Sequence, residues 1–189
     1  QDPDHSIMVH VDPIVAYRLP GKTGEEVHYN LDHLPMLCNK LRELNLTRLH
    51  ISFMQFTWNK VIERAEEMRP QLDLMKLDTA QMHQVLVTQV LPYVNEIQLQ
   101  TCTALEVINE CDKVEAEKGK LIKGACVGHG DVASITGLMN LSERMLSKKG
   151  SSATTRNCSC YPHRDLGDKL TSCTNGCRYC FVNPQQYNF

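Results

Sequence analysis

The sequence predicts an α/β protein: a partial parallel (βα) barrel of about four βα units, followed by a cysteine-rich loop near the C-terminus. Two observations support this prediction. Strand-like and helix-like segments alternate from residue 6 to about residue 147, and such alternation is typical of parallel sheets. The strand-like segments are also short and nearly continuously apolar, which suits a sheet covered on both faces.

The predicted strands are recognised by their apolar runs and by the breakers that follow them. Pro13 cannot donate a hydrogen bond to a ladder, so the first strand is expected to end near Val11. The four predicted strands cover residues 6–11, 49–56, 98–102 and 121–127.

The predicted helices alternate with these strands. Asn30 or Asp32 is expected to cap the first helix, and Pro35 fits its first turn. The third helix begins after Asp78-Thr79. The five predicted helices cover residues 31–44, 57–69, 79–94, 105–118 and 131–147.

The chain divides by composition into two parts. Residues 1–150 are expected to form the barrel body, and residues 151–189 a cysteine-rich, metal- or cluster-binding segment packed on the same domain. Four units are half of an eight-stranded barrel. Either the sheet is open, or a missing N-terminal half or a second chain is the partner that completes the barrel.

Charge and hydropathy exclude several classes of partner. The formal net charge is −2, which does not indicate nucleic-acid binding. No apolar run approaches the roughly 20 residues that span a membrane, and the N-terminus does not resemble a signal peptide. We therefore expect no membrane association and a cytoplasmic location.

The cysteines are distributed unevenly. Four of the nine are scattered, and Cys38 and Cys111 among them lie on apolar helix faces, where core packing is expected. A secreted disulfide scaffold would spread its cysteines along a short, loop-rich chain. The remaining five crowd the last part of the chain, which favours a reducing compartment and a metal site; they are Cys158, Cys160, Cys173, Cys177 and Cys180.

The spacing of the last three cysteines carries the strongest functional signal. Cys173, Cys177 and Cys180 can surround one compact site on a single loop, and Gly176 permits the tight turn between them. Thiolates are soft ligands that suit an iron–sulfur cluster or zinc. Three thiolates would leave one iron of a [4Fe–4S] cluster open. In the alternative, Cys158 or Cys160 supplies the fourth ligand of a structural zinc ion.

The pattern Cys-x3-Cys-x-Tyr-Cys resembles the motif of the radical S-adenosylmethionine superfamily. The resemblance implies a [4Fe–4S] cluster on Cys173, Cys177 and Cys180, S-adenosylmethionine on the open iron, and Tyr179 near the adenine. It also implies a reductant such as a ferredoxin or flavodoxin. In that superfamily the loop follows the first strand, whereas here it comes last, so the barrel order would be permuted.

A second resemblance covers nearly the whole chain. Asp12-Pro13-Ile14, Cys158-Ser-Cys160, Asp165-Leu-Gly167 and the segment 173–181 are similar to the microbial family named domain of unknown function 1848. The resemblance implies that the chain is the C-terminal half of a longer protein. His10-Val11 stands where that family usually has Arg-Tyr, and Phe181 where it has Tyr.

Other residues are weaker candidates for catalysis or binding. Asp12, Gln55, Gln100 and Thr101 lie at or near the predicted carboxyl ends of strands, and His129 lies in a glycine-flanked turn. Cys158 and Cys160 are additional metal ligands or a redox pair. Two function classes other than a radical enzyme stay open: a zinc- or cluster-stabilised interaction module without catalysis, and a thiol redox protein.

Overall fold

The computed structural model describes residues 7–21, 26–56 and 59–125. These residues divide into two compact units, which are described separately. The strands are β1 (Val9–Ile14), β2 (Ala16–Arg18), β3 (His28–Tyr29), β4 (Arg48–Phe53), β5 (Asp73–Met75), β6 (Gln98–Thr101) and β7 (Leu121–Lys123). The α-helices are α1 (Leu34–Glu43), α2 (Asn59–Met68), α3 (Thr79–Val85) and α4 (Leu105–Asp112).

The first unit contains a parallel sheet. Its described residues are 7–14, 30–53 and 77–125. The strand order in this part of the chain is β1-β4-β6-β7, and every neighbouring pair is parallel. This confirms the predicted α/β class and four-stranded parallel sheet. Closure into a barrel stays a prediction.

Strand β1 does not end where the sequence predicted. It continues through Pro13 to Ile14, and its register with β4 shifts between Val11 and Ile14. Val11 is level with Ile51 and Ile14 with Phe53, so two residues of β1 lie opposite one of β4. The extra residue is a β-bulge, and a bulge is one of the few places where a strand tolerates proline.

Helix α1 confirms the predicted helix but not its cap. Pro35 lies in the first turn, as expected, whereas His33 is the N-cap residue. The prediction that Asn30 or Asp32 caps the helix is therefore wrong. The Asn30 side-chain amide instead donates a 3.0 Å hydrogen bond to the carbonyl oxygen of Pro13.

The predicted helix over residues 79–94 consists of three kinds of helical turn. Asp78 caps α3 in a capping box with Gln81, with hydrogen bonds of 2.8 and 3.0 Å. The chain then widens into a π-helix over Leu86–Val90 and tightens into a 3₁₀ turn over Leu91–Tyr93. Single π-helical turns inside α-helices are frequently found at functional sites.

The second unit was not predicted from the sequence. It contains a three-stranded antiparallel sheet in the order β3-β2-β5, together with α2. Val15, Ala65 and Leu74 form its small buried cluster. Strands of two or three residues are too short to show a period of two in the sequence, which explains why this sheet was missed.

Several predictions fall outside the described residues. They are the helix over 131–147, the division at residue 150, and the cysteine-rich segment. The fourth strand was predicted to reach residue 127 but ends at Lys123, and the helix predicted over 105–118 ends at Asp112. β4 is shorter than predicted and ends at Phe53, while β6 agrees with its prediction to within one residue. Among the described helices, none is long and apolar enough to cross a lipid bilayer.

Candidate functional site

The parallel sheet of the first unit has side chains of different chemistry on its two faces. Successive residues of a strand point to opposite faces, and residues at the same register in neighbouring strands share a face. Rows of side chains therefore run across the sheet. The register places His10, His50, Gln100 and Ile122 in one such row.

The neighbouring positions on the same face are also polar. Arg48 is level with Gln98 at the start of the two central strands. Ser52 follows His50 by two residues and contacts Asp12 of β1. We call this surface the polar face and define it by seven side chains: His10, Asp12, Arg48, His50, Ser52, Gln98 and Gln100.

The central part of the polar face is buried. His50 is 1% exposed, and Ser52 and Gln100 are each 7% exposed. The His10 ring lies beside the His50 ring with 4.8 Å between the ring centroids. Burying polar groups costs free energy unless they are hydrogen-bonded. Polar side chains at the centre of a sheet are therefore candidates for a functional role.

The β-bulge brings a carboxylate to this face. The Ser52 hydroxyl donates a hydrogen bond to a carboxylate oxygen of Asp12, and Asp12 itself is exposed. Hydrogen bonds to charged acceptors are stronger than those between neutral groups. Asp12 is thus held in place near the carboxyl end of β1, the end where parallel α/β proteins bind ligands.

Gln100 is positioned from two sides. Its side-chain amide donates a 2.9 Å hydrogen bond to the Gln98 side chain. A Cβ atom at Gly124 would lie 2.4 Å from the Gln100 Oε1 atom and 2.6 Å from its Cβ atom. Only glycine therefore fits at residue 124 while Gln100 keeps this conformation.

The opposite face, which we call the apolar face, is built for packing. Its buried members are Ile14, Leu49, Ile51, Phe53, Leu99 and Leu121, each at most 5% exposed. Thr101 lies on the same face, two residues after Leu99, and is also fully buried. Its hydroxyl accepts hydrogen bonds from the N–H groups of Thr103 and Ala104, at 3.4 and 3.3 Å, just before α4 begins.

The structure brings some of the predicted candidates together. Asp12 and Gln100 both belong to the polar face, whereas Thr101 has a local structural role. Gln55 is exposed and belongs to the second unit. His10, His50 and Ser52 were missed, although the alternation Arg48-Leu-His-Ile-Ser-Phe53 could have shown that one face of β4 is polar.

The cysteine predictions are tested only in part. Cys38 and Cys111 are each 0% exposed, which confirms that they are core residues. Burial raises the pKa of the Cys38 thiol. The candidates that lie outside the described residues are His129, Cys158, Cys160, Cys173, Gly176, Cys177, Tyr179 and Cys180.

A second group of chemically active side chains lies among the helices. His83 of α3, Cys111 of α4 and Glu117 after α4 place ligand atoms within 4.8 Å of one another. His83 Nε2 and Glu117 Oε2 are 2.6 Å apart. Burial, and next the Glu117 carboxylate, raise the pKa of the Cys111 thiol to about 11. Together these donors form a group that could hold a metal ion.

The fold and these side-chain groups define the class of protein: it is a parallel α/β protein with donor atoms that are compatible with a metal. The family follows from the sequence. Residues 3–182 match the family described as a domain of unknown function (DUF1848), and the chain belongs to this family. No curated protein and no solved structure shows significant similarity to it.

Proposed function

We propose that this protein binds a [4Fe–4S] cluster and acts as a radical S-adenosylmethionine-type enzyme on a substrate still to be identified. The observation that carries the proposal is the Cys-x3-Cys-x-Tyr-Cys motif of residues 173–180. The motif lies inside the part of the chain that matches the family model. Three thiolates suit a cluster with one open iron.

The motif assigns a role to each of its residues. Cys173, Cys177 and Cys180 hold the cluster, Gly176 allows the turn between ligands, and Tyr179 contacts the adenine. Cys158 and Cys160 are further candidate ligands. The donor set fits the cluster because all three principal ligands are soft thiolates.

The chemistry that the cluster supplies is one-electron reduction of bound S-adenosylmethionine. With the cluster held by Cys173, Cys177 and Cys180, an electron from a ferredoxin or flavodoxin would allow reductive cleavage of S-adenosylmethionine to methionine and 5′-deoxyadenosine, the hydrogen atom coming from a C–H bond of the substrate. The cytoplasm is the expected location, since a reducing compartment keeps the thiolates available.

The polar face of the parallel sheet supports a ligand-binding role. Asp12 and His10 are exposed there, next to the buried His50 and Ser52. A carboxylate and imidazoles can hold the amino, carboxylate or hydroxyl groups of a cofactor or substrate. In a barrel this face would line the interior, and completion of the barrel by further strands, from an N-terminal half or from a second chain, is part of the proposal.

Metal analysis tests the first half of the proposal. After anaerobic purification and reconstitution, we expect about four iron and four sulfide per chain and visible charge-transfer absorbance. The triple variant Cys173→Ala/Cys177→Ala/Cys180→Ala should lose both, whereas Cys38→Ala, which removes a buried thiol elsewhere, should retain them. Zinc in place of iron, lost when Cys173, Cys177 and Cys180 are changed to Ala, would overturn the proposal.

Product analysis tests the second half. With a strong reductant and S-adenosylmethionine, the cluster-loaded protein should release 5′-deoxyadenosine, and Tyr179→Ala should weaken cofactor binding. A cluster-loaded protein that gives no 5′-deoxyadenosine would instead favour the alternative, a cluster-stabilised interaction module. Zinc in place of the cluster would favour the zinc-stabilised form of that module.

A further inference from the structure

We propose that His83, Cys111 and Glu117 form a second metal site that binds a divalent transition metal such as Zn²⁺. The site is independent of the C-terminal cysteines and does not rest on the proposed radical chemistry. It contributes one nitrogen, one sulfur and one oxygen donor from three separate segments of the first unit.

The distances are close to those of a coordinated metal. Zinc ligands lie about 2.0–2.3 Å from the ion in a tetrahedral arrangement, so pairs of ligand atoms are separated by roughly 3–4 Å. The three donor atoms here lie within 4.8 Å of one another, and His83 and Glu117 are already in contact at 2.6 Å. The His83–Glu117 contact would therefore have to open by roughly 1 Å to admit a metal.

The backbone holds each donor in place. His83 lies in the last turn of α3, just before the π-helix, and Cys111 lies in the last turn of α4. Glu117 belongs to a compact turn in which its N–H and that of Lys118 donate to the Val114 carbonyl oxygen, at 2.9 and 3.0 Å. The backbone positions of the three donors are thus fixed before binding, which lowers the entropic cost of binding.

The turn that carries Glu117 is closed by a glycine. Gly119 has a φ angle of +71°, a conformation that glycine adopts readily. Its N–H donates a 3.3 Å hydrogen bond to the Asp112 carboxylate at the end of α4. This contact returns the chain toward α4 and keeps Glu117 near Cys111.

The exposure of the donors suits a partly open metal site. Cys111 is fully buried, while the side chains of Glu117 and His83 are 14% and 23% exposed. Three protein ligands leave the fourth tetrahedral position for water or another ligand. A mixed sulfur, nitrogen and oxygen set favours zinc and related transition metals over Mg²⁺ or Ca²⁺, which prefer oxygen alone.

An ion pair without a metal is the competing explanation. His83 and Glu117 alone would form a partly buried pair joining α3 to the segment after α4. That explanation needs no thiol, whereas the metal site requires Cys111. The two explanations therefore differ in what substitution of Cys111 does to metal binding.

Cobalt binding provides the test, because thiolate-bound Co²⁺ absorbs light through charge transfer. The C-terminal cysteines would also bind Co²⁺, so the full chain is studied with Cys158, Cys160, Cys173, Cys177 and Cys180 each changed to Ala. We expect one Co²⁺ per chain with a thiolate charge-transfer band. Cys111→Ala should abolish this band, and Cys38→Ala, the equally buried control, should leave it unchanged.

A second variant keeps the test decisive if Cys111→Ala fails to fold. Glu117→Gln preserves the size of the side chain and removes a charged ligand. We expect it to weaken Zn²⁺ binding by at least about tenfold in competition with a chromophoric chelator, and to reduce the increase in Tm that Zn²⁺ produces. Absence of Co²⁺ binding in the folded variant that lacks the five C-terminal cysteines would overturn the site without bearing on the cluster. Equal Zn²⁺ affinity with and without Glu117→Gln in that same variant would also overturn it.

Discussion

The polar and apolar faces of the parallel sheet are similarly buried at their centres but differ in the chemistry of their side chains. Leu49 and Leu99 on the apolar face are 0% exposed, and His50 and Gln100 on the polar face are 1% and 7% exposed. These four residues alternate along the two central strands, β4 and β6. The same backbone thus carries two buried surfaces of opposite chemistry.

This difference separates stability from function within one sheet. Burying an apolar side chain contributes about 1.5–3 kcal/mol to folding, whereas a buried polar group contributes little net free energy even when it is hydrogen-bonded. The apolar face therefore contributes more to the stability of the first unit than the polar face does. The polar face is the surface on which substitutions should alter ligand binding more than folding.

The largest effect is expected on the apolar face. Leu99→Ala should lower the free energy of unfolding by about 3 kcal/mol, since it leaves a cavity in a fully buried position. Gln100→Ala, the adjacent residue on the other face, should cost about 1 kcal/mol because it removes one hydrogen bond to Gln98. Urea denaturation measures both values. Equal losses for the two variants would mean that both faces contribute alike to stability.

The next largest effect is expected at the close contact between Gly124 and Gln100 on the polar face. Gly124→Ala should cost about 2 kcal/mol, because the new Cβ atom would overlap the Gln100 side chain and force it to move. The cost should fall when Gln100 is changed to Gly, since that removes both overlapping groups. A double-mutant cycle with strictly additive free energies would contradict this contact.

The sequence predicted the architecture of the first unit from its apolar runs. Those runs located β4 and β6 because their alternate positions, such as Leu49 and Leu99, are strongly apolar. The prediction that β1 ends before Pro13 failed, because a bulge allows the strand to continue and the bulge depends on pairing with β4. The sequence prediction also missed β2, β3 and β5, which are stabilised by tertiary contacts rather than by local preference.

The candidate sites were predictable to different degrees. Asp12 and Gln100 could be located as polar residues near strand ends. The association of His83 with Cys111 could not, because it depends on how α3 packs on α4. Cys111 was correctly interpreted as a core residue, yet burial alone does not distinguish it from Cys38, which has a similar environment in sequence. Only the nearby ligand atoms of His83 and Glu117 distinguish Cys111 from Cys38.

A smaller effect is expected at the β-bulge. Ser52→Ala should lower the free energy of unfolding by about 1 kcal/mol, because it removes the hydroxyl group that donates a hydrogen bond to the Asp12 carboxylate. The loss is small because Asp12 stays accessible to water. Asp12→Asn serves as the partner variant in a double-mutant cycle read by thermal unfolding. If the two substitutions do not couple, the hydrogen bond does not position Asp12.

The smallest change in stability is expected for His10. It is exposed, and His10→Ala removes only its ring contact with His50, so the cost should be about 0.5 kcal/mol. If the polar face binds the cofactor or substrate, the same variant should weaken S-adenosylmethionine binding or slow 5′-deoxyadenosine release. His33→Ala, an exposed histidine at the start of α1, is the matched control. Equal binding and equal rates in the two variants would remove His10 from the functional surface, because a difference in stability this small cannot mask a binding effect.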